Sequence, residues 1–227
     1  MPDVPAGTPP FFGQLRMTTS LSTPPALLLY GNAHSGHSYK VRLLLLLSPV
    51  PHHYQPIALD IPRAERPAAF VAASRFGEVP VLIDGGVALC QSNAILLHVA
   101  QRTGVFGGAP DERSAVTEWL FWETNRIGFS VPNLRFALRW APQPAEVLAY
   151  LRARALADLQ TLDEALERTE FLLPSGPTIA DIACAGYLFW LDQAGIEAAA
   201  FAHVARWLNS LSALPGWAHP DEALAGP

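Results

Sequence analysis

From Ala26 onward, short apolar blocks alternate with small polar or glycine-rich ones, and each block predicts an element. Residues 26–30 form an apolar run closed by Gly31-Asn32, the pattern of a buried strand. Residues 32–38 are small and polar, and 39–47 then predict a helix stopped by Ser48-Pro49. A second strand fits 53–59, and a short amphipathic helix fits 64–73 after Pro62. Residues 79–83 and 87–90 flank Asp84-Gly85-Gly86, whose glycines supply the positive φ of a hairpin turn. Residues 92–102 predict a helix with Gly104 at its C-terminal cap. The first two strands, joined through a helix, are expected to run parallel, and the final hairpin antiparallel.

Beyond Gly104 the strand signals stop. Gly107-Gly108-Ala109-Pro110 reads as a linker, and helical periods follow over 111–140, 144–171, 178–194 and 201–213. Pro142, Pro144, Pro174 and Pro177 mark the breaks. Thr178, with Asp181 three residues on, is a capping-box variant opening an apolar helix, and Asp181 reads as structural. The predicted organisation is a Pro-rich leader over 1–25, an α/β domain over 26–104, a linker over 105–112 and an all-helical domain over 113–227. Met17 is a candidate natural start.

Composition narrows the function classes. Half of the 227 residues are apolar and 15% are charged, which excludes disorder for most of the chain. The longest apolar run, 41–47 interrupted by Arg42, is far short of the roughly 20 residues a membrane span needs. No signal-peptide pattern opens the chain. The net charge of −5 divides as +2 over 1–104 and −7 over 105–227, with no basic stripe for a phosphate backbone, so nucleic acid is not expected as a partner. Two cysteines, Cys90 and Cys184, make no disulfide framework and are expected to be inert in apolar surroundings. A soluble protein of a reducing, cytoplasmic compartment is expected, with no metal.

Three segments carry candidate chemistry. The loop 31–38 follows a buried strand and opens a helix, so its backbone N–H groups and the helix N-terminus form an anion site. Ser35 can be a helix cap there. A serine hydrolase using His34 or His37 is a second reading, although no Gly-x-Ser-x-Gly elbow is present. A metal site from His34, His37, His52 and His53 is a third. Next, Pro80 opens a strand, and a cis Val79-Pro80 bond would expose the Val79 backbone to an extended ligand. Gln91 and Ser92 precede a helix, a further anion position. Lying at the ends of successive strands, these residues outline one polar groove for a small peptide-like anion.

Tyr30-x4-Ser35-x4-Lys40-Val41-Arg42, then Phe76-Gly77-Glu78-Val79-Pro80-Val81-Leu82, then Gln91-Ser92-Asn93-Ala94-Ile95-Leu96, with Thr178-Ile179-Ala180-Asp181 behind them, resemble the cytosolic glutathione S-transferases. The resemblance covers about 26–220 and points to the serine-type, theta- or zeta-like classes. It implies a thioredoxin-like N-terminal domain (βαβαββα), an all-helical C-terminal domain and a homodimer. It implies Ser35 as the catalytic serine, Val79 before a cis Pro80 as the partner of glutathione's cysteinyl backbone, and Gln91 and Ser92 as holders of its γ-glutamyl end. Arg66 falls where some plant classes meet the glycine carboxylate. Gln91 replaces a frequent glutamate, Glu65 a histidine, and Ser74-Arg75 stands where Asn-Pro is common. Ser38 takes a position often held by cysteine in related bacterial sequences.

The implied activity is conjugation of glutathione, as co-substrate, to small hydrophobic electrophiles, a detoxification chemistry. Alternatives are glutathione-dependent reductase or peroxidase activity and a non-catalytic binding or regulatory role; residues 31–40 lack the cysteine that reductases use. A thiol of pKa about 8.5 is only a few per cent ionised at neutral pH. Lowering it by about two units takes roughly 2.7 kcal/mol, within reach of a serine hydroxyl donor and a helix N-terminus. Trp119, Trp122, Phe129, Phe136 and Trp140 offer aromatic surface for the electrophile, with at least half expected in the core or at a subunit contact.

Overall fold

Both faces of the sheet are covered, which is why its first strand is apolar without alternation. The computed structural model describes residues 26–48 and 50–226; the leader expected over 1–25, Met17 and Pro49 lie outside them. Strands β1 (Leu27–Gly31), β2 (His52–Pro56), β3 (Val81–Asp84) and β4 (Val87–Cys90) form one sheet in the order β2-β1-β3-β4. β1 pairs parallel with β2 and antiparallel with β3, and β3–β4 is an antiparallel hairpin, as the connections require. Leu27 and Leu29 face one core with α1 (Gly36–Leu47) and α3 (Ser92–Thr103). Leu28 and Tyr30 point the other way, toward Phe70 of α2 (Ala68–Ala73).

The remaining helices are α4 (Arg113–Asn125), α5 (Ile127–Arg139), α6 (Ala145–Ala165), α7 (Ile179–Ala185), α8 (Ala202–Ser212) and α9 (Pro220–Ala223). Val116 and Leu120 of α4, with Ile179, Ile182 and Ala183 of α7, join the core of α1 and α3, so the two domains share one apolar mass. A second core lies wholly among helices, with Val131 and Leu134 of α5 against Leu159 and Leu162 of α6 and Trp207 of α8. Thioredoxin-like and all-helical parts are thus both present in the expected order.

Several expected bounds need correction: the strand over 53–59 ends at Pro56, the helix over 64–73 starts only at Ala68 after a 3₁₀ turn, and the helix over 144–171 ends at Ala165. The continuous helix over 111–140 breaks at Arg126, which has φ −120° and ψ −100° and separates α4 from α5. The stretch 178–194 is helical only to Ala185 and continues as short 3₁₀ turns. The helix from 39 begins three residues earlier, at Gly36. No helix is expected at α9, whose Ala223 enters the shared core while Tyr39 of α1 donates to the Ala218 carbonyl at 2.9 Å.

Asp181 holds the helical domain together through more than its capping box. Its wholly buried carboxylate accepts the backbone N–H of Thr178 (2.8 Å) and of Leu172 (2.9 Å), the Thr178 hydroxyl (3.2 Å) and the Trp207 indole N–H (2.9 Å). Asp181→Ala leaves several buried donors unpaired and is expected to destabilise by about 3–5 kcal/mol, a fall in melting temperature of roughly 10 °C. Thr178→Ala, which removes the cap alone, is expected to cost about 1 kcal/mol. Calorimetry of the two variants checks the difference; equal losses would reduce Asp181 to a simple cap.

Candidate active site

The loop after β1 is closed by its own side chains. Asn32 donates from Nδ2 to the Ile57 carbonyl at 2.9 Å and accepts the His34 N–H on Oδ1 at 2.9 Å. Its backbone N–H reaches the hydroxyl of buried Ser38 at 3.2 Å. Ser35 then caps α1, its Oγ accepting the Ser38 N–H at 3.1 Å. That bond uses a lone pair of the hydroxyl and leaves its proton available to an acceptor in front of the helix. The cap and a hydrogen-bonding role toward an anion are therefore compatible in one side chain.

This loop borders a groove of about 1110 Å³ between the two domains. Ser35, Val79, Pro80, Gln91, Ser92 and Arg66 all line it, so the structure brings the six sequence-predicted residues to one cavity. The Val79–Pro80 bond is cis, as expected. Val79 precedes β3, and neither its N–H nor its C=O joins the backbone hydrogen bonds of the described residues. Gln91 sits at φ +71° before α3 and donates from Nε2 to the Glu78 carboxylate at 3.2 Å. Ser92 is the first residue of α3, where unpaired backbone N–H groups concentrate. Arg66 directs three of its nitrogens to the carbonyls of Leu59, Ile61 and Gly77 at 2.9–3.2 Å, bracing the loop below the groove.

The helical domain supplies what the sequence reading missed. Arg135 of α5 donates from Nη1 to the His34 carbonyl at 2.8 Å, holding the loop beside Ser35 from across the groove. Tyr187, just after α7, packs its ring so closely on α1 that a Cβ at Gly36 would lie 2.5 Å from Cδ2. Its phenol lies by the Ser35 side chain and the Gly36 and His37 backbone; burial raises its pKa, so it stays protonated at neutral pH. At the groove floor, Lys40 of α1 donates to Glu123 of α4 at 2.9 Å, both side chains almost fully buried. Asn93 of α3 reaches the same Glu123 oxygen at 2.8 Å. The signal for these charges was present: Glu123 follows Val116 and Leu120, and Arg135 follows Ile127 and Val131, on buried helical stripes.

Two of the readings left open for the loop find no support in its geometry. Neither His34 nor His37 hydrogen-bonds to Ser35 among the described residues, so no nucleophile–base pair forms there. His52 and His53 pair with Leu27 and Leu28 at the opposite end of β1 from the loop, and so cannot join His34 and His37 around one ion. Of the five aromatic residues, Phe136 and Trp140 line the groove, whereas Trp119 and Trp122 pack on the cores and Phe129 stacks under Arg154. Cys90 packs on the apolar cluster of Tyr30, Ile57, Phe70 and Val81, as expected, and also borders the groove, its thiol directed to the Ala73 carbonyl at 3.7 Å. Cys184 is buried as expected, which pushes its thiol well up.

Residues 29–109 match the family model of the glutathione S-transferase N-terminal domain, and 125–210 that of the C-terminal domain. A crystal structure of a glutathione S-transferase from Xanthobacter autotrophicus Py2 is 30% identical, with a TM-score of 0.76, covering 85% of this chain and 96% of that one. The chain belongs to the glutathione S-transferase family. A glutathione S-transferase from Pseudomonas fluorescens Pf-5 is 26% identical, with a TM-score of 0.79 over 86% of this chain and 99% of that one. Disulfide-bond oxidoreductase YfcG of Escherichia coli K12 is 27% identical over 202 residues, 83% of this chain and 90% of its own length. Family membership supports glutathione-dependent activity in the broad sense. Among the described residues no helix is long and apolar enough to cross a membrane, and no group of three or more His, Cys, Asp or Glu could hold a metal ion.

His37 gives the site a measurable pH signature. Burial, and then the Lys40 charge, lower its imidazole pKa from 6.5 to about 4, and its Nδ1 is buried without a partner. The folded protein therefore holds His37 neutral where the unfolded chain protonates it. Stability from this group is complete above pH 6.5 and is lost as the pH falls toward 4, by roughly 3 kcal/mol. Urea unfolding at pH 7 and pH 4.5 is expected to show that loss in the parent and a correspondingly smaller one in His37→Gln. An unchanged pH dependence in the variant would show that His37 does not titrate in this window.

Proposed function

We propose that the chain is a glutathione transferase that stabilises the glutathione thiolate with the Ser35 hydroxyl and adds it to small hydrophobic electrophiles. One observation carries this reading: a single groove joins the Ser35 hydroxyl and the N-terminus of α1 to the unpaired Val79 backbone and the start of α3. In it, Val79 pairs with the cysteinyl backbone of glutathione, and Gln91 and Ser92 hold the γ-glutamyl carboxylate. Glu78, hydrogen-bonded to Gln91, supplies the negative charge for the ligand's amino group that glutamine lacks. Arg66 faces the glycine carboxylate with its charge and its remaining N–H. The cysteinyl thiol then lies before α1, where the Ser35 proton and the helix dipole favour its ionised form. Tyr187 and Arg135 close the loop from the helical side.

Phe136 and Trp140 give the electrophile an apolar wall. The thiolate sulfur forms a bond to the electrophilic carbon, and either a leaving group departs with the electron pair of its bond or the carbanion left by addition to a double bond takes a proton from solvent. A homodimer and a cytoplasmic location accompany this reading, as the family implies. No metal takes part in it. A glutathione-dependent disulfide reductase is the second reading, favoured by the name of the Escherichia coli relative and by Cys90 at the groove edge. The loop 31–40 has no cysteine to form a mixed disulfide, which weighs toward conjugation.

Thiolate absorbance of bound glutathione, titrated across neutral pH, tests the first reading. The parent is expected to ionise the thiol about two units below its free value. Ser35→Ala is expected to lose one to two of those units and about 10- to 100-fold in kcat/KM. Ser35→Asp keeps a good helix cap but places a negative charge against the sulfur, and is expected to lose the shift while retaining stability. A Ser35→Ala variant with full activity would leave Ser35 as a cap alone. Release of glutathione disulfide instead of a conjugate would favour the reductase.

A further inference from the structure

One wall of the groove holds a cation that the glutathione contacts above leave unused. Arg135 is 3% exposed, yet it borders the cavity between Phe136, Trp140 and Tyr187. Its guanidinium lies 4.1 Å from the Trp190 ring centroid and 4.9 Å from that of Trp140. Nε donates to Gln193 Oε1 at 2.9 Å and Nη1 to the His34 carbonyl at 2.8 Å. Nη2 has no hydrogen-bond partner among the described residues, and no carboxylate among them forms an ion pair with the group. Asp192 and Asp221 favour its charge only from beyond ion-pairing distance.

A buried cation without a counter-ion is costly, and the two indole faces offset only part of that cost. The indoles and the bond to Gln193 also hold the fork in place, so it meets a ligand without first being ordered. Its open side, Nη2 with the second N–H of Nη1, has the planar geometry that accepts a carboxylate through two hydrogen bonds. The His34 carbonyl it holds is one residue from Ser35, and both Arg135 and Ser35 line the same cavity.

We propose that Arg135 is a specificity determinant for an anionic second substrate: a planar, apolar electrophile carrying a carboxylate. This rests on the transferase reading, in which both carboxylates of glutathione are held elsewhere, at Gln91-Ser92 and Arg66. Phe136 and Trp140 cover the faces of the electrophile and Arg135 takes its carboxylate, while the electrophilic carbon is turned to the sulfur. For an aryl halide, the thiolate forms the carbon–sulfur bond and halide leaves with the carbon–halogen electron pair. The thiol proton has already passed to solvent, so no oxidant or reductant is needed.

The test uses a matched pair, 4-chloro-3-nitrobenzoate and the uncharged 4-chloro-3-nitrobenzamide. Quenching of indole fluorescence without glutathione measures the binding of each. The parent is expected to bind the benzoate at least about 10-fold more tightly, Arg135→Gln to lose that preference, and Arg135→Lys to keep part of it. With glutathione present, the benzoate-to-benzamide ratio of kcat/KM is expected to fall about 10- to 100-fold in Arg135→Gln. Equal binding of the two compounds by the parent would overturn the proposal, as would a preference that survives Arg135→Gln. The parent's thiolate absorbance separates the two readings. A benzoate preference without thiolate keeps the anion site and removes the transferase, whereas a thiolate without the preference does the reverse.

Discussion

The buried ion pair between Lys40 and Glu123 is the contact on which the geometry of the groove depends. It links α1 of the first domain to α4 of the second, and Asn93 of α3 donates to the same carboxylate. Two charges out of water are tolerable only when each is matched, and losing one partner of such a pair typically costs about 3–5 kcal/mol. The pair therefore fixes the depth and register at which the helices meet. Gly128 follows from the same constraint: any side chain there would collide with the Glu123 carboxylate. His37 lies beside the pair: burial is the main cause that keeps its imidazole neutral, the Lys40 charge adds to it and the Glu123 charge opposes it.

With the domains held at this depth, the loop 31–38 becomes a composite structure. Its own serines and Asn32 close it locally, but Arg135 fastens the His34 carbonyl and Tyr187 covers the helix start, both from the helical domain. Ser35 caps the helix through a lone pair of its hydroxyl, which is compatible with the proposed donation of its proton to an anion in front of the helix. The groove is thus graded in character. Unpaired backbone and small polar groups occupy the α/β side, and aromatic faces with one buried cation occupy the helical side. That division matches a peptide-like co-substrate on one side and a flat apolar partner on the other.

Local sequence chemistry determined much of this. The Asp84-Gly85-Gly86 turn, the Thr178–Asp181 box and the Ser35 cap of α1 each owe their form to residues within a few places along the chain. Strand direction followed from connection length, and the shared cavity from the strand ends. Tertiary structure alone decided the rest. The break at Arg126, with φ −120° and ψ −100°, is not written in helical periodicity, which runs through it. The partners of Glu123 and Arg135 lie tens of residues away, 83 in the first case and 58 and 101 in the second. A charge on an apolar stripe announces that some partner must exist, because burial demands one, but only the packing of distant helices determines which group that partner is.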